Sequence, residues 1–226
     1  MTNPTGRGRI FSMTSKILHR FSREDEVGYF APKTWAFWRS LIACFCIFTI
    51  VGHWLEIPYC MFMDYFFGIV ADDYAVWTDP WYHPYWVYGF GSVAITFLIE
   101  PLKESIVKRR KTLPGALFET LIICITMAAV LELVIGLIIN QPDATGKYPF
   151  WDNSTLPLNI FGQAWLVNDI VIGVIAVLYV WVLYPLVCEG FIILKNERRA
   201  NIAFGIIVGI FAICCTVSYV QLNFFM

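Results

Sequence analysis

The chain has 226 residues, of which 58% are hydrophobic and 15% are charged, and its formal net charge is −1. Soluble domains carry about 25% charged residues, so the scarce charges and the long apolar runs between them indicate an integral membrane protein. The basic residues form short scattered groups rather than one face, which argues against nucleic-acid binding.

Residues 1–34 are polar and basic, and they contain no hydrophobic core of a signal peptide. Within this segment, apolar side chains recur at helical spacing between basic ones: Ile10, Met13, Ile17, Leu18 and Phe21. The pattern is typical of an amphipathic helix on an anionic leaflet, and a loosely ordered tail is an equally good interpretation.

Five apolar runs follow, at about 35–61, 85–102, 113–140, 164–187 and 201–225. Apart from closed β-barrels, helices are the only structures that satisfy all backbone polar groups in lipid. The sequence therefore predicts an all-α polytopic membrane protein with one transmembrane domain, 35–226, and five spans. The second run is short for a span of roughly 20 residues.

The distribution of Lys and Arg predicts the orientation. Seven precede or open the first run, five lie between the second and third, and three lie between the fourth and fifth. Only Lys147 lies in the remaining loops. The positive-inside rule then predicts a cytoplasmic N-terminus and an external C-terminus, with the first and third loops outside.

The two predicted outer loops resemble each other. Each has a Trp closely followed by an Asp, and each has a Pro five residues before a Gly that follows an aromatic residue. These pairs are Pro84 with Tyr88-Gly89 and Pro157 with Phe161-Gly162. We interpret the first four spans as two parallel copies of one hairpin, with the fifth span added. Alternatively, both loops simply use common interfacial and turn residues.

Ionisable side chains are costly at bilayer depth, by roughly 2.5–3.5 kcal/mol each. An outer layer of such residues, together with one amide, comprises His53, Glu56, Glu132, Asn168 and Asp169. Three carboxylates without a nearby Lys or Arg must share protons, pair with His53 or hold a cation. The pattern predicts a cation site or a proton-coupled site, or a site for an amine substrate, and it leaves open whether a metal binds. The alternative is that Glu56 extends to the interface while Glu132 and Asp169 make neutral interhelical hydrogen bonds.

An inner layer of charged residues favours anchoring or packing, and we expect Arg39 to pair there with Glu100 or Glu119. No HExxH, Walker A or GxSxG motif occurs. The sequence therefore predicts no catalytic residue and no cofactor, and any ATP-driven activity would need a separate subunit.

Several short motifs resemble those of the bacterial membrane proteins described as putative ABC-transporter type IV permeases. They are a Gly-x-x-x-Glu (Gly52, Glu56), a Pro before Tyr-Gly-x-Gly (Pro84, Tyr88, Gly89, Gly91), a late Glu in the third span (Glu132), and Trp-Asp leading to Asn-x-x-Gly (Trp151, Asp152, Asn159, Gly162). The chain departs from the family pattern at Asn153, where a Tyr is usual, and at Gln163, where a basic residue is expected. The resemblance implies a transport subunit of the bacterial inner (cytoplasmic) membrane and a separate ATPase.

The resulting prediction is a permease-like component that binds or moves a small solute or cation through an outward-facing site. Glu56, Glu132 and Asp169 would coordinate the solute, and His53 would tune protonation. A non-transporting sensor, scaffold or assembly subunit is the alternative, and a membrane enzyme acting on lipid or an envelope precursor is less favoured. The predicted partners are the lipid bilayer, another membrane subunit or ATPase, and a second copy of the chain.

Overall fold

The computed structural model describes residues 29–70, 72, 74–144, 146 and 148–224. The amphipathic helix predicted within residues 1–34 lies outside the described residues. The part that is described is mainly helical. Its helices are α1 (Trp35–Phe67), α2 (Trp86–Leu98), α3 (Glu100–Arg109), α4 (Leu113–Ile139), α5 (Leu166–Leu178), α6 (Tyr184–Ile193) and α7 (Glu197–Phe224).

Among the described residues, four stretches are long and apolar enough to cross a membrane: Trp35–Phe67, Leu113–Ile139, Leu166–Ile193 and Glu197–Asn223. This confirms the prediction of an all-α polytopic membrane protein. The second predicted run is divided into α2 and α3. At about 1.5 Å per residue, α2 is roughly 20 Å long and too short to cross a hydrocarbon core of about 30 Å. The fifth span and the orientation of the termini therefore stay predictions.

The chain forms two compact units. Among the described residues, the first unit comprises Leu98–Leu183, and the second comprises Tyr29–Phe97 with 184–224.

The first unit is built on the antiparallel hairpin of α4 and α5. The loop between these helices ends in a short β-hairpin, in which β1 (Asn159–Ile160) pairs with β2 (Ala164–Trp165). Gly173 permits the close approach of α5 to α4, because a Cβ at this position would lie 2.5 Å from the Ile125 side chain. The glycine therefore sets the spacing of the two helices.

The second unit contains α1, which packs against α2, α6 and α7. Thr34 caps the start of α1 by accepting a hydrogen bond from the Phe37 amide at 3.3 Å, and Gly68 ends the helix in the left-handed region at φ 61°. A Cβ at Gly52 would lie 2.4 Å from the Tyr88 ring. Close backbone approach between α1 and α2 therefore depends on this glycine.

The charged residues near the helix ends have well-defined partners. Arg39 pairs with Glu197 at 2.6 Å and also donates to the Asn201 side chain. The expected pairing of Arg39 with Glu100 or Glu119 is therefore wrong. Glu119 instead accepts hydrogen bonds from Arg109 and Arg110, its neighbours across the short α3–α4 connection.

Glu100 and Lys103 form an ion pair within α3, with 2.6 Å between Lys103 Nζ and Glu100 Oε1. Both side chains are 0% exposed. The Lys103 ammonium also donates to the Val180 carbonyl at 3.2 Å. Val180 lies in a π-helical turn, Tyr179–Leu183, that follows α5. Lys103 is therefore buried, although its sequence position suggested a loop residue that adds to the inner positive charge.

Candidate functional site

Glu132 is held in the α4–α5 hairpin by two donors. Its Oε1 accepts a hydrogen bond from Asn168 Nδ2 at 3.0 Å, and its Oε2 accepts one from the Trp165 amide at 3.3 Å. Trp165 is the N-cap of α5, so Glu132 lies at the amino end of that helix. Both donors and the positive end of the helix dipole favour a negative charge on Glu132.

Asp169 lies beside this carboxylate and is fully buried, at 0% exposed. Its carboxyl group interacts directly with that of Glu132. Neither oxygen of Asp169 accepts a hydrogen bond from a donor in the part of the chain that the structure describes. Two carboxyl groups this close cannot both ionise cheaply in a buried place, so the pair requires a shared proton or a bound cation.

The Trp165 amide is placed by a network centred on Gln163 and Asn140, which are 2% and 0% exposed. Asn140 ends α4 and donates to Gln163 Oε1 at 2.9 Å, while Gln163 Nε2 donates back to the Asn140 carbonyl at 3.0 Å. The Gln163 side chain lies over Gly136, where a Cβ would come within 2.5 Å of Oε1. The buried amides thus fix the end of α4 to the start of β2.

The remaining polar residues of the loop complete this network. Trp151 Nε1 and Asn153 Nδ2 donate to the Gln163 carbonyl at 2.9 and 2.8 Å. Asn159 accepts a hydrogen bond from the Gly162 amide at 3.0 Å, which closes the turn where Gly162 has φ 70°. Asp152 accepts one from the Ser154 amide, and hydrogen bonding to Ser154 holds the pKa of Asp152 below its ordinary value. These contacts give the loop motif an architectural role.

Glu56 has its own surroundings in the second unit. It accepts hydrogen bonds from the hydroxyls of Tyr88 and Tyr74, and the Cys60 thiol lies 3.8 Å away. Burial, and then the nearby Glu56 carboxylate, raise the pKa of Tyr74 to about 12. Tyr74 therefore remains a hydroxyl donor at neutral pH.

His53 is buried and makes its contacts elsewhere in the same unit. Its Nε2 lies 3.3 Å from the Val76 carbonyl, and its ring stacks on Tyr85 with 4.6 Å between centroids. The loop that follows adds a hydrogen bond of 2.6 Å between His83 Nδ1 and the Ser218 hydroxyl. These partners give His53 a packing role between α1 and the following loop.

The structure thus places Glu132, Asn168 and Asp169 in one cluster of the first unit, whereas His53 and Glu56 lie in the second unit with separate partners. Within the described residues, no group of three or more His, Cys, Asp or Glu side chains is arranged to hold a metal ion. Sequence reasoning missed Trp165 as a donor, because a backbone amide leaves no sequence signal. It also missed Asn140, whose position at the end of an apolar run was a usable signal.

The sequence match behind the predicted repeat joins residues in different conformations. Tyr88 and Gly89 lie inside α2, whereas Phe161 and Gly162 form the turn between β1 and β2, both with positive φ. The tandem repeat therefore stays a prediction that this particular alignment does not support.

Similarity to known proteins is confined to one family. No curated protein and no solved structure matches the chain. A family profile does match, over residues 43–219, and it covers every residue of the two carboxylate clusters described above. The chain belongs to the family described as Putative ABC-transporter type IV.

Proposed function

We propose that the protein is a permease-like transport component of the cytoplasmic membrane, in which Glu132 and Asp169 bind a small cation or a cationic solute. The observation that carries this proposal is the buried Asp169 carboxyl, which lies against a second acid and receives no hydrogen bond from a described donor. A bound cation would satisfy both carboxyl groups at once, because it removes their mutual repulsion.

The depth of the pair in the membrane supports the proposal. Glu119, which is paired with two arginines, marks one end of the apolar part of α4. At about 1.5 Å per residue, Glu132 lies roughly 20 Å from that point and Ile139 roughly 30 Å from it. If Glu119 lies at one border of a hydrocarbon core about 30 Å thick, Glu132 lies about 10 Å inside the other border. Acids retained at such a depth usually serve ions, protons or substrates.

Membership of the family supports a role related to ABC transport and an ATPase as a separate partner. Under the predicted orientation, the carboxylate pair lies nearer the outer surface, so the solute would enter from outside. Glu56, with its two tyrosine donors, is a second acidic position in the other unit, and we propose that it also contributes to solute handling.

Equilibrium binding to the purified full chain tests the proposal, with ²²Na⁺ and ¹⁴C-methylammonium as the probes. We expect saturable binding of at least one probe to the wild type, and a loss of at least tenfold in affinity for Glu132→Gln and for Asp169→Asn. Glu119→Gln is the matched control, because this acid lies on the same helix and is paired with arginines. Binding that is absent in the wild type, or equal in all four proteins, would overturn the proposal.

The alternative is a scaffold or assembly subunit whose acids are structural. That role predicts a fixed protein partner in gentle detergent, no binding of either probe, and unfolding of the Glu132→Gln variant. Thermal unfolding of the same four proteins separates loss of a ligand site from loss of the fold.

A further inference from the structure

The loop between α4 and α5 buries the amide side chains at its two ends and exposes several large apolar side chains. The amides of Asn140 and Gln163 are almost completely buried. In contrast, Phe150 is 66% exposed, Leu158 is 68% exposed and Phe161 is 78% exposed. A loop that folds in water would bury such apolar side chains, because the burial of apolar surface is the main favourable contribution to folding.

Two of these apolar side chains belong to residues whose backbone is strained. Leu158 has φ 62° and Phe161 has φ 53°, a region that bulky residues rarely adopt because Cβ meets the backbone. Hydrogen bonds on either side maintain the strained turns: Trp165 Nε1 donates to the Pro157 carbonyl at 2.9 Å, and Asn159 Nδ2 donates to the Leu156 carbonyl at 2.7 Å. Strain of this kind persists when the surrounding structure enforces it, and it often accompanies function.

The apolar surface of the loop continues from the surface of the membrane helices. Ile138 and Ile139, the last residues of α4, are both exposed, and so is Leu166, the first residue of α5. These residues belong to helices that are long and apolar enough to span a membrane. The surface immediately beside the loop is therefore one that lipid would cover.

Charge is almost absent from the same segment. Between residues 148 and 165 the sole ionisable group charged at neutral pH is Asp152, and Trp151 lies next to it. Trp and Tyr are enriched where a protein meets the headgroup region, and apolar residues beside them enter the acyl boundary.

We propose that loop 148–165 is inserted into the lipid interface rather than projecting into water, with Leu158, Ile160 and Phe161 as its anchor. The occupant of the apolar face is the leaflet on that side of the membrane. A second copy of the chain or another apolar protein would cover the same side chains, but lipid is favoured because the face is continuous with the lipid-facing ends of α4 and α5.

Photo-crosslinking of the full chain in lipid nanodiscs tests this inference. The photoreactive residue p-benzoylphenylalanine replaces Phe161 in one variant and Thr155, an exposed polar residue of the same loop, in the matched control. Mass spectrometry then identifies the adducts. We expect lipid adducts at position 161 at several times the yield at position 155.

Equal lipid yields at the two positions, or no lipid adduct at position 161, would overturn the proposal. Adducts to protein at position 161 would also overturn it and would indicate an interface with a second copy or another subunit. If the Phe161 variant does not elute as a single folded species, the same replacement at Leu158 carries the same expectation.

Discussion

Asn168 donates its side-chain amide to Glu132 at 3.0 Å and so joins the first turn of α5 to the late part of α4. The bond crosses a helix pair that Gly173 already holds closely together. It orients the Glu132 carboxylate towards the amino end of α5, where the Trp165 amide supplies the second donor. The geometry of the acid pair therefore depends on one side chain and one backbone amide.

Replacement of Asn168 by Leu should destabilise the protein. The change removes the donor of the part-buried Glu132 Oε1, and a hydrogen bond to a charged group contributes about 1.5–3 kcal/mol. Thermal unfolding in detergent should show a lower Tm than for the wild type. Thr126→Val is the control, because Thr126 is exposed and bonds only within its own helix. A Tm for the Asn168 variant equal to that of the control would contradict the assigned bond.

Tyr88 has a position and a hydrogen bond in the second unit that correspond to those of Asn168 in the first. Each is the third residue of the returning helix, and each donates to a glutamate of the preceding long helix. Tyr88→Phe should therefore also lower the Tm, by an amount equivalent to about 1–3 kcal/mol. Tyr219→Phe, at an exposed position of α7, should leave the Tm unchanged. Equal Tm values for the two variants would show that the Tyr88 hydroxyl contributes no stability.

Gly136→Ala should disturb the loop that places the Trp165 amide. The added methyl group would lie 2.5 Å from Gln163 Oε1 and 2.9 Å from its Cβ, so the buried amide network must shift. Overpacking of this kind costs about 1–3 kcal/mol. In contrast, Gly205→Ala adds a methyl group in open space on α7 and should be neutral or slightly stabilising. The idea fails if both alanine variants unfold at or above the wild-type temperature.

Lys103→Met should be strongly destabilising, because it leaves Glu100 buried without its cation. Removal of one partner of a buried ion pair costs about 3–5 kcal/mol. The double variant Lys103→Met with Glu100→Gln removes both charges and should recover most of the lost stability. Denaturant unfolding of the two variants and the wild type measures this coupling. A double variant no more stable than the single one would argue that the ammonium matters through the Val180 carbonyl instead.

Much of the fold could be predicted from composition, because lipid leaves few choices for the backbone. The long apolar runs of α1, α4 and α7 correspond to spans in the structure, with ends that differ by several residues. The division of the second run into two helices could not be predicted. The apolar sequence continues through Ile99, whereas in the structure α2 ends at Leu98 and α3 begins at Glu100. Hydrophobicity alone does not report such a break, nor the π-helical turn after α5.

The sequence grouped five polar residues by depth, and the structure brings three of them together. Comparable depths in the third and fourth runs were enough to select Glu132, Asn168 and Asp169. The grouping of His53 with Glu56 relied on their separation of three residues, which puts them on one helix face but does not decide which loop each side chain meets. Trp165 and Gln163 could not be selected, because their roles depend on tertiary hydrogen bonds that no local pattern encodes. Asn140 could have been selected from its position at the end of an apolar run.

The ion pair of Glu100 and Lys103 also has a consequence for how the chain is made. The two residues are one helical turn apart, so α3 alone is sufficient to bring their charges together. During synthesis, the turn from Glu100 to Lys103 can therefore be electrically neutral before α4 and α5 have been made. Under the predicted orientation, Lys103 would then add little to the positive charge on the inner side, and Lys108, Arg109, Arg110 and Lys111 would supply the charge of that connection.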